Sequence, residues 1–236
     1  MTRQASPSAA DRPVILVHGF GSSTDALWRN GGWIDDLEAS GRTVIGVDLP
    51  GHGASRDVVD RDVADIVIDV AARHGSADAI GFSAGAWSLL GAAGERPGLF
   101  ERIAVLGAGD MILTQGLHAA AMQQPMVEIL RSSAEPTDNP HATEILAQIE
   151  KAGNDRGAVA DFLVQDKRFP TLDDLGQITA WTLVVEGGAD LAGPSELVRQ
   201  TIPNSERLTV DGAGHFELPT LAECRSAVTT FINQGG

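Results

Sequence analysis

Short runs of apolar, mostly β-branched residues recur along the chain and are separated by longer segments of helical pattern. Six runs are predicted to form strands, at 14–17, 43–47, 77–82, 102–106, 181–185 and 207–210. They are continuously apolar and end near glycines, which is typical of parallel strands covered on both faces. Helical patterns occupy 60–73, 84–95 and 221–232. This alternation predicts an α/β fold with a doubly wound, mostly parallel sheet.

One segment interrupts the alternation. From about 111 to 174 the chain has no convincing strand pattern, and short helices are predicted at 115–131, 141–151 and 158–167. An insertion that follows a strand end lies over the carboxyl edge of the sheet, where open α/β folds bind ligands. The sequence therefore predicts one domain over residues 1–236, with a short helical lid at 111–174.

Charge and composition narrow the choice of partners and compartment. The 236 residues carry a formal net charge of −15, so nucleic acid and anionic membranes are not expected as partners. The single cysteine, Cys224, cannot form an internal disulfide, and residues 1–13 lack the apolar segment of a secretory signal. No apolar run is long enough to cross a bilayer. We therefore predict a cytoplasmic protein.

Several kinds of site have no matching motif in the sequence. Glycine-rich loops for dinucleotides or phosphates are missing, and so are the His and Cys clusters that bind metals. Neither a metal nor a cofactor is expected, so the candidate chemistry depends on the side chains of the chain itself.

The segment Gly81-Phe-Ser83-Ala-Gly85 is the one G-x-S-x-G motif in the chain. It follows a buried strand and precedes a run of helix formers, which is the context of a nucleophile elbow. The glycines allow a tight turn in which the serine hydroxyl is exposed. The alternative is a simpler turn in which Ser83 only caps the helix.

Asp190 and His215 each follow a late strand through a glycine-rich turn, so both are expected at the carboxyl edge of the sheet. A serine hydroxyl needs a base, a neutral imidazole serves near pH 7, and a carboxylate orients the imidazole. Serine, aspartate and histidine in this chain order are typical of a catalytic triad built on such a fold. The alternatives are an Asx turn at Asp190 and a plain loop histidine, and the rival carboxylates are Glu186 and Asp211.

A second turn, His18-Gly19-Phe20-Gly21, follows the first predicted strand. The backbone N–H groups of Phe20 and Ala84 are predicted to form an oxyanion hole, which stabilises the charge of a tetrahedral intermediate. His18 is expected to shape the loop by hydrogen bonding. The alternative is a glycine turn that merely buries His18.

With these motifs in order, the sequence resembles the α/β-hydrolase superfamily, in the branch of small carboxylesterases and lactonases. The resemblance is carried by residues 18–21, 48–55, 81–85, 187–190 and 212–215. It implies a structural role for the loop that contains Asp48 and His52. Family members usually have two strands before the His-Gly turn, but few residues precede it here, so the sheet is expected to be trimmed to about six parallel strands.

The resemblance and the motifs together predict hydrolysis of a small carboxylic ester or lactone through an acyl-enzyme, by a monomer or small homo-oligomer. Two alternatives stay open: a C–C bond hydrolase or lyase that uses the same three residues, and a non-catalytic receptor for a small ligand. Apolar residues of the lid are predicted to form the substrate pocket together with Phe20. They are Met111, Leu113, Leu117, Met122, Met126 and Phe162.

Overall fold

The computed structural model describes residues 12–57, 59–115, 118–132, 139–165 and 167–234. Six parallel strands form one sheet in the order β2-β1-β3-β4-β5-β6. They are β1 (Val14–Val17), β2 (Val44–Val47), β3 (Ala77–Phe82), β4 (Phe100–Leu106), β5 (Trp181–Gly187) and β6 (Ser205–Val210). The predicted six-stranded α/β fold is confirmed.

Strand β1 shows why the strand sequences are continuously apolar. All four of its residues are fully buried. Ile15 and Val17 point into the core on one face of the sheet, whereas Val14 and Leu16 enter a separate core on the other face. Successive side chains of a strand point to opposite faces, so a strand that is covered on both faces needs an apolar residue at every position.

Ten α-helices accompany the sheet in the described part of the chain. They are α1 (Trp33–Ala39), α2 (Val63–Ala72), α3 (Ala84–Glu95), α4 (Met111–Gln115), α5 (His118–Arg131), α6 (Pro140–Ala152), α7 (Arg156–Val164), α8 (Leu172–Gly176), α9 (Glu196–Thr201) and α10 (Ala222–Asn233). Cores form between the sheet and α2–α3 on one face, and between the sheet and α1 and α10 on the other. None of the helices in the described ranges has the length and apolarity needed to span a membrane.

The sequence pattern did not reveal α1 or the π-helical turn Thr24–Arg29 before it. Both are short, and glycines separate them. They are held by packing, since Trp28 and Trp33 are fully buried with their rings edge to face at 5.2 Å. Tertiary contacts of this kind are not visible in a local pattern.

Helices α4–α8 form an insertion between β4 and β5, called here the helical insertion (residues 111–176). It has a small core of its own that includes Val127, Ile145 and Ile149. Helix α6 begins where the side chain of Asn139 accepts the N–H of Ala142, with Pro140 in the first turn. A side-chain acceptor and a proline at this position are favourable for a helix start, so the sequence fixes where α6 begins.

At the amino edge of the sheet, one buried carboxylate joins distant parts of the chain. Arg42 donates to Asp78 at 2.5 Å, Arg12 Nε lies 3.4 Å from the same oxygen, and the Arg102 N–H donates to the other oxygen at 3.0 Å. Arg42 also donates to the carbonyl of Ile232 at 3.0 Å. Asp78 therefore links β3 to both ends of the described chain.

Asp78→Ala is expected to lower the free energy of unfolding by about 3 to 5 kcal/mol, because it leaves buried guanidinium groups without their carboxylate. The matched control is Asp69→Ala, which removes an exposed partner of Arg61. That change is expected to cost less than about 1 kcal/mol. Urea denaturation of both variants measures the difference, and equal midpoints would contradict the role given to Asp78.

Candidate active site

Ser83 lies in a sharp turn between β3 and α3, with φ 52° and ψ −117°. It is the one non-glycine residue with a positive φ among the residues that the structure describes. Such a conformation costs on the order of 1 to 3 kcal/mol, so surrounding contacts must hold it. The Ser83 N–H donates to the carbonyl of Leu106 at 2.9 Å, and the Trp87 N–H donates to the Ser83 carbonyl at 3.1 Å. These bonds fasten the turn to β4 and to α3.

The glycines on either side of Ser83 have no room for a side chain. A Cβ on Gly85 would lie 2.3 Å from the carbonyl oxygen of Val17, and a Cβ on Gly81 would lie 2.7 Å from Cα of Ala86. Both distances are well inside van der Waals contact. The motif glycines are therefore explained by the close approach of α3 to β1 and β3.

Asp190 and His215 follow β5 and β6, which are neighbours in the sheet. The turns after these strands are joined, since the Ala189 N–H donates to the carbonyl of Ala213 at 3.0 Å. The Ala192 N–H donates to Oδ1 of Asp190 at 2.8 Å. Only 1% of the Asp190 side chain and 12% of the His215 side chain are exposed. Each side chain is thus held in a protein environment instead of water.

The three side chains form one hydrogen-bonded chain. Nε2 of His215 lies 2.9 Å from Oγ of Ser83, and Nδ1 lies 2.8 Å and 3.0 Å from the two carboxylate oxygens of Asp190. Because a carboxylate only accepts, Nδ1–H donates to Asp190 and Nε2 accepts the Ser83 hydroxyl. In this tautomer the imidazole can take a proton from Ser83.

The rival carboxylates lie elsewhere. Glu186 accepts the N–H of Ser195 at 2.8 Å and the hydroxyl of Thr209 at 2.9 Å, and Asp211 is exposed in the turn after β6. Asp190 is therefore the carboxylate that the structure brings to His215.

Gly107, at the end of β4, makes the reach of His215 possible. Strands β4 and β5 both separate β6 from β3, so His215 must extend across the end of β4 to contact Ser83. A Cβ on Gly107 would lie 2.9 Å from Cε1 and 3.1 Å from Nδ1 of His215, and 3.3 Å from Oδ2 of Asp190. Absence of a side chain here leaves the space that the imidazole fills.

The turn of residues 18–21 follows β1, which lies directly beside β3. A Cβ on Gly19 would lie 3.2 Å from Cβ of Ser83, so the turn passes close to the serine. Within the described part of the chain, the N–H groups of Phe20 and Ala84 donate to no acceptor. Both groups lie near Ser83 and are available to bind an oxygen atom.

Buried side chains hold this turn from behind. The Leu49 N–H donates to Nε2 of His18, and the Gly21 N–H donates to Nε2 of His52, each at 3.1 Å. Asn154, beyond α6, donates to the carbonyls of Gly21 and Ser22 at 3.0 Å and 2.8 Å. The turn is therefore tied both to the loop that follows β2 (residues 48–55, called here the β2 loop) and to the helical insertion.

The electrostatics of the β2 loop suit this supporting role. Burial alone would raise the pKa of Asp48, but contacts with His18 and the N–H groups of Thr24 and Ala54 hold it well below its ordinary value. Burial lowers the pKa of His52 to about 4, with a further contribution from nearby His18. His52 is thus neutral at physiological pH and keeps Nε2 free to accept the Gly21 N–H.

Ser83 and His215 open onto a cavity of about 590 Å³ between the sheet edge and the helical insertion. Most of the side chains at its wall are apolar and many are aromatic. They include Phe20, Phe82, Trp87, Ile112, Phe162 and Phe216. A cavity of this size and character fits a small, largely apolar molecule.

The predicted pocket residues divide into three groups. Phe20, Met111 and Phe162 line the cavity. Leu113 packs against the main core and Met126 against the core of the helical insertion, so packing accounts for their burial. Leu117 and the side chain of Met122 lie outside the described part of the structure.

Sequence reasoning missed Asn154, Gly107, His141 and Phe216 as parts of the site. Phe216 was detectable, since it directly follows His215, and its ring lies edge-on to the imidazole at 5.3 Å. Trp87 is buried in the main core and also reaches the cavity wall. Asn154, Gly107 and His141 belong to no motif, because their roles depend on contacts between distant segments.

Among the described residues, no group of three or more His, Cys, Asp or Glu side chains is placed to hold a metal ion.

A model of the alpha/beta hydrolase family matches residues 14–228. The chain belongs to this family, and the resemblance inferred from its motifs is confirmed.

One relative matches most of the chain. A dihydrolipoyllysine-residue acetyltransferase component of an acetoin cleaving system from Pseudomonas putida is 30% identical over 234 residues, covering 89% of this chain. The chain spans only 60% of the length of that relative.

Solved structures share the fold at low sequence identity. MenH from S. aureus superimposes with a TM-score of 0.75 at 17% identity, covering 94% of this chain and 93% of its own. A thermophilic esterase from Thermogutta terrifontis gives a TM-score of 0.72 at 21% identity, covering 94% and 91%. Together they show that most of this chain shares the fold of these proteins.

Gly107→Ala is expected to slow the reaction of Ser83 with a fluorophosphonate on the order of 100-fold, because the methyl group displaces His215. Gly153→Ala is the matched control, since Gly153 has the same φ of +66° but nothing within 4 Å of an added Cβ. Both variants bear a similar backbone strain of about 1 kcal/mol. Equal labelling rates in the two variants would contradict the proposed contact.

The lowered pKa of His52 predicts how stability varies with pH. Between pH 6.5 and about 4 the unfolded chain binds a proton at His52 that the folded chain does not, so this residue destabilises the fold as pH falls. In His52→Gln, an amide that still accepts the Gly21 N–H, the loss of stability over this window should be smaller. Urea denaturation at several pH values measures how the free energy of unfolding of each protein changes with pH. The same slope in the wild type and in His52→Gln would exclude a neutral buried His52.

Proposed function

We propose that the protein is a serine hydrolase that cleaves a small carboxylic ester or lactone through an acyl-enzyme. The observation that carries this proposal is the contact of His215 Nε2 with the Ser83 hydroxyl at 2.9 Å, while Nδ1 contacts Asp190. A general base within hydrogen-bonding distance of a strained, cavity-facing serine is the arrangement required for nucleophilic catalysis.

In the first half of the reaction, Ser83 Oγ attacks the carbonyl carbon of the substrate and His215 takes the hydroxyl proton. The resulting imidazolium is stabilised by Asp190, which accepts from Nδ1. The tetrahedral intermediate then collapses, the bond to the alcohol oxygen breaks, and His215 returns the proton to that oxygen. An acyl group stays on Ser83.

The negative oxygen of the intermediate is bound by the N–H groups of Phe20 and Ala84. Their availability as donors beside Ser83 supports this assignment. Donors that are already oriented stabilise the developing charge without reorganisation, which makes this one of the largest contributions to catalysis. Support of the turn by His52 and Asn154 keeps the first donor in place.

In the second half, water replaces the alcohol. His215 takes a proton from water, the hydroxide attacks the acyl carbon, and Ser83 leaves with the proton returned by His215. A carboxylic acid is released and the enzyme is restored. The helical insertion serves as the lid of the cavity, since Ile145, Phe162 and Leu163 from this segment form part of its wall.

The two alternatives differ in measurable ways. A C–C bond hydrolase or lyase would use the same three residues on a vinylogous diketone or a cyclic intermediate, and it would leave simple esters and lactones uncleaved. A receptor would bind a small apolar ligand tightly while Ser83 failed to react with a fluorophosphonate. The strained conformation of Ser83 supports catalysis, because a receptor has no need of it.

The decisive test is Ser83→Ala, assayed with short p-nitrophenyl esters and with lactones. Loss of the nucleophile is expected to reduce kcat/KM at least about a thousandfold. Ser88→Ala is the matched control, because Ser88 is another serine at the cavity wall whose hydroxyl already donates to the carbonyl of Ala84. It should keep most of the activity.

Mass spectrometry of the fluorophosphonate-labelled protein should place the modification on the peptide that contains Ser83. Ester cleavage by Ser83→Ala at the wild-type rate would overturn the mechanism.

A further inference from the structure

The cationic side chains at the cavity wall already have protein partners. The Arg168 guanidinium contacts Asp65 at 2.5 Å and Glu95 at 3.1 Å, and the Arg168 backbone N–H donates to Asp62 at 2.9 Å. Lys167 donates to the carbonyl of Phe162 at the end of α7, and its ammonium lies 4.2 Å from the centre of the Phe162 ring. An anionic group on a substrate would have to compete with these partners, so the cavity is suited to uncharged molecules.

Other polar side chains at the wall are also engaged. The Ser88 hydroxyl donates to the carbonyl of Ala84 at 3.0 Å, and Asp62 accepts the N–H of Ala64 at 2.8 Å at the start of α2. Among the polar side chains that the structure describes at the wall, His141 and Trp87 have no hydrogen-bond partner within the protein. Trp87 offers a single indole N–H, whereas a neutral imidazole offers a donor and an acceptor.

His141 is placed to meet a substrate at the open end of the cavity. It lies in the first turn of α6, it is exposed, and its ring is 5.7 Å from that of Phe216. Phe216 in turn contacts His215 at 5.3 Å. A row of three neighbouring rings thus runs from the imidazole of His215 to His141, and all three rings lie at the cavity wall.

The protonation state of His141 agrees with a neutral ligand. Burial and the neighbouring His215 lower its pKa, and this outweighs the opposite effect of Glu144. At neutral pH the ring is therefore uncharged. It can exchange hydrogen bonds with a hydroxyl, carbonyl or ether oxygen, but it offers little charge attraction to a carboxylate.

We propose that His141 is a substrate-binding residue, and that the cavity selects an uncharged, mostly apolar ester or lactone carrying a second oxygen group away from the bond that is cleaved. The apolar part of the substrate lies deep in the cavity against the aromatic wall. The second oxygen hydrogen-bonds to His141 at the cavity mouth. This inference rests on the proposed hydrolase function and specifies its substrate class.

The test uses matched pairs of esters that differ only in one oxygen group. One pair places a keto or hydroxyl group in the acyl chain, the other places it in the alcohol, and each is compared with the plain alkyl ester. Wild-type enzyme should prefer the oxygen-bearing member of at least one pair by about 5- to 10-fold in kcat/KM, mostly through a lower KM. The gain corresponds to one net hydrogen bond.

The variants isolate the contribution of His141. His141→Phe should abolish the preference, so that both members of a pair have equal kcat/KM, and His141→Gln should keep part of it. His74→Phe, at an exposed histidine just after α2, controls for loss of a surface imidazole and should behave as wild type.

Three outcomes would overturn the inference: no preference in either pair with wild-type enzyme, a preference that survives in His141→Phe, or loss of the preference in Trp87→Phe alone. Each is distinguishable from failure of the hydrolase proposal. If the hydrolase proposal itself failed, the wild-type protein would cleave neither member of a pair, and Ser83 would not react with a fluorophosphonate.

Discussion

One imidazole contacts two side chains at once, and the arrangement of the carboxyl edge follows from that requirement. His215 lies between Ser83 and Asp190, which follow strands β3 and β5 of the sheet. The two partners are fixed to different strands, so their separation is set by the sheet and not by flexible loops. The imidazole bridges them because β4, the strand between, is followed by Gly107, which leaves the space open.

Much of the fold could be predicted from the sequence. Strands that are buried on both faces are apolar throughout, so runs such as 14–17 and 77–82 are visible without any alignment. Helix α3 begins and ends where its pattern indicates, at Ala84 and Glu95. The turn Thr24–Arg29 and helix α1 were not visible, because the packing of two tryptophans holds them instead of local preference.

The candidate site was predictable where a turn carries its own signature. Ser83, Asp190 and His215 each follow a strand through a glycine-rich turn, and the structure brings them within hydrogen-bonding distance. The cavity wall was less predictable, since apolar residues on short helices serve equally well for packing, as Leu113 and Met126 do. Residues such as Asn154 act only through contacts across more than a hundred positions of the chain, and no local pattern contains them.

The central claim is that His215 donates from Nδ1 to Asp190 and accepts the Ser83 hydroxyl at Nε2. Nitrogen-15 NMR of the histidine ring in the folded protein near neutral pH tests it directly, because a protonated and an unprotonated ring nitrogen give separate signals. The account predicts a neutral His215 ring with the proton on Nδ1 and a free lone pair on Nε2. A ring that carries its proton on Nε2, with Nδ1 unprotonated, would contradict the account, because such an imidazole cannot take a proton from Ser83.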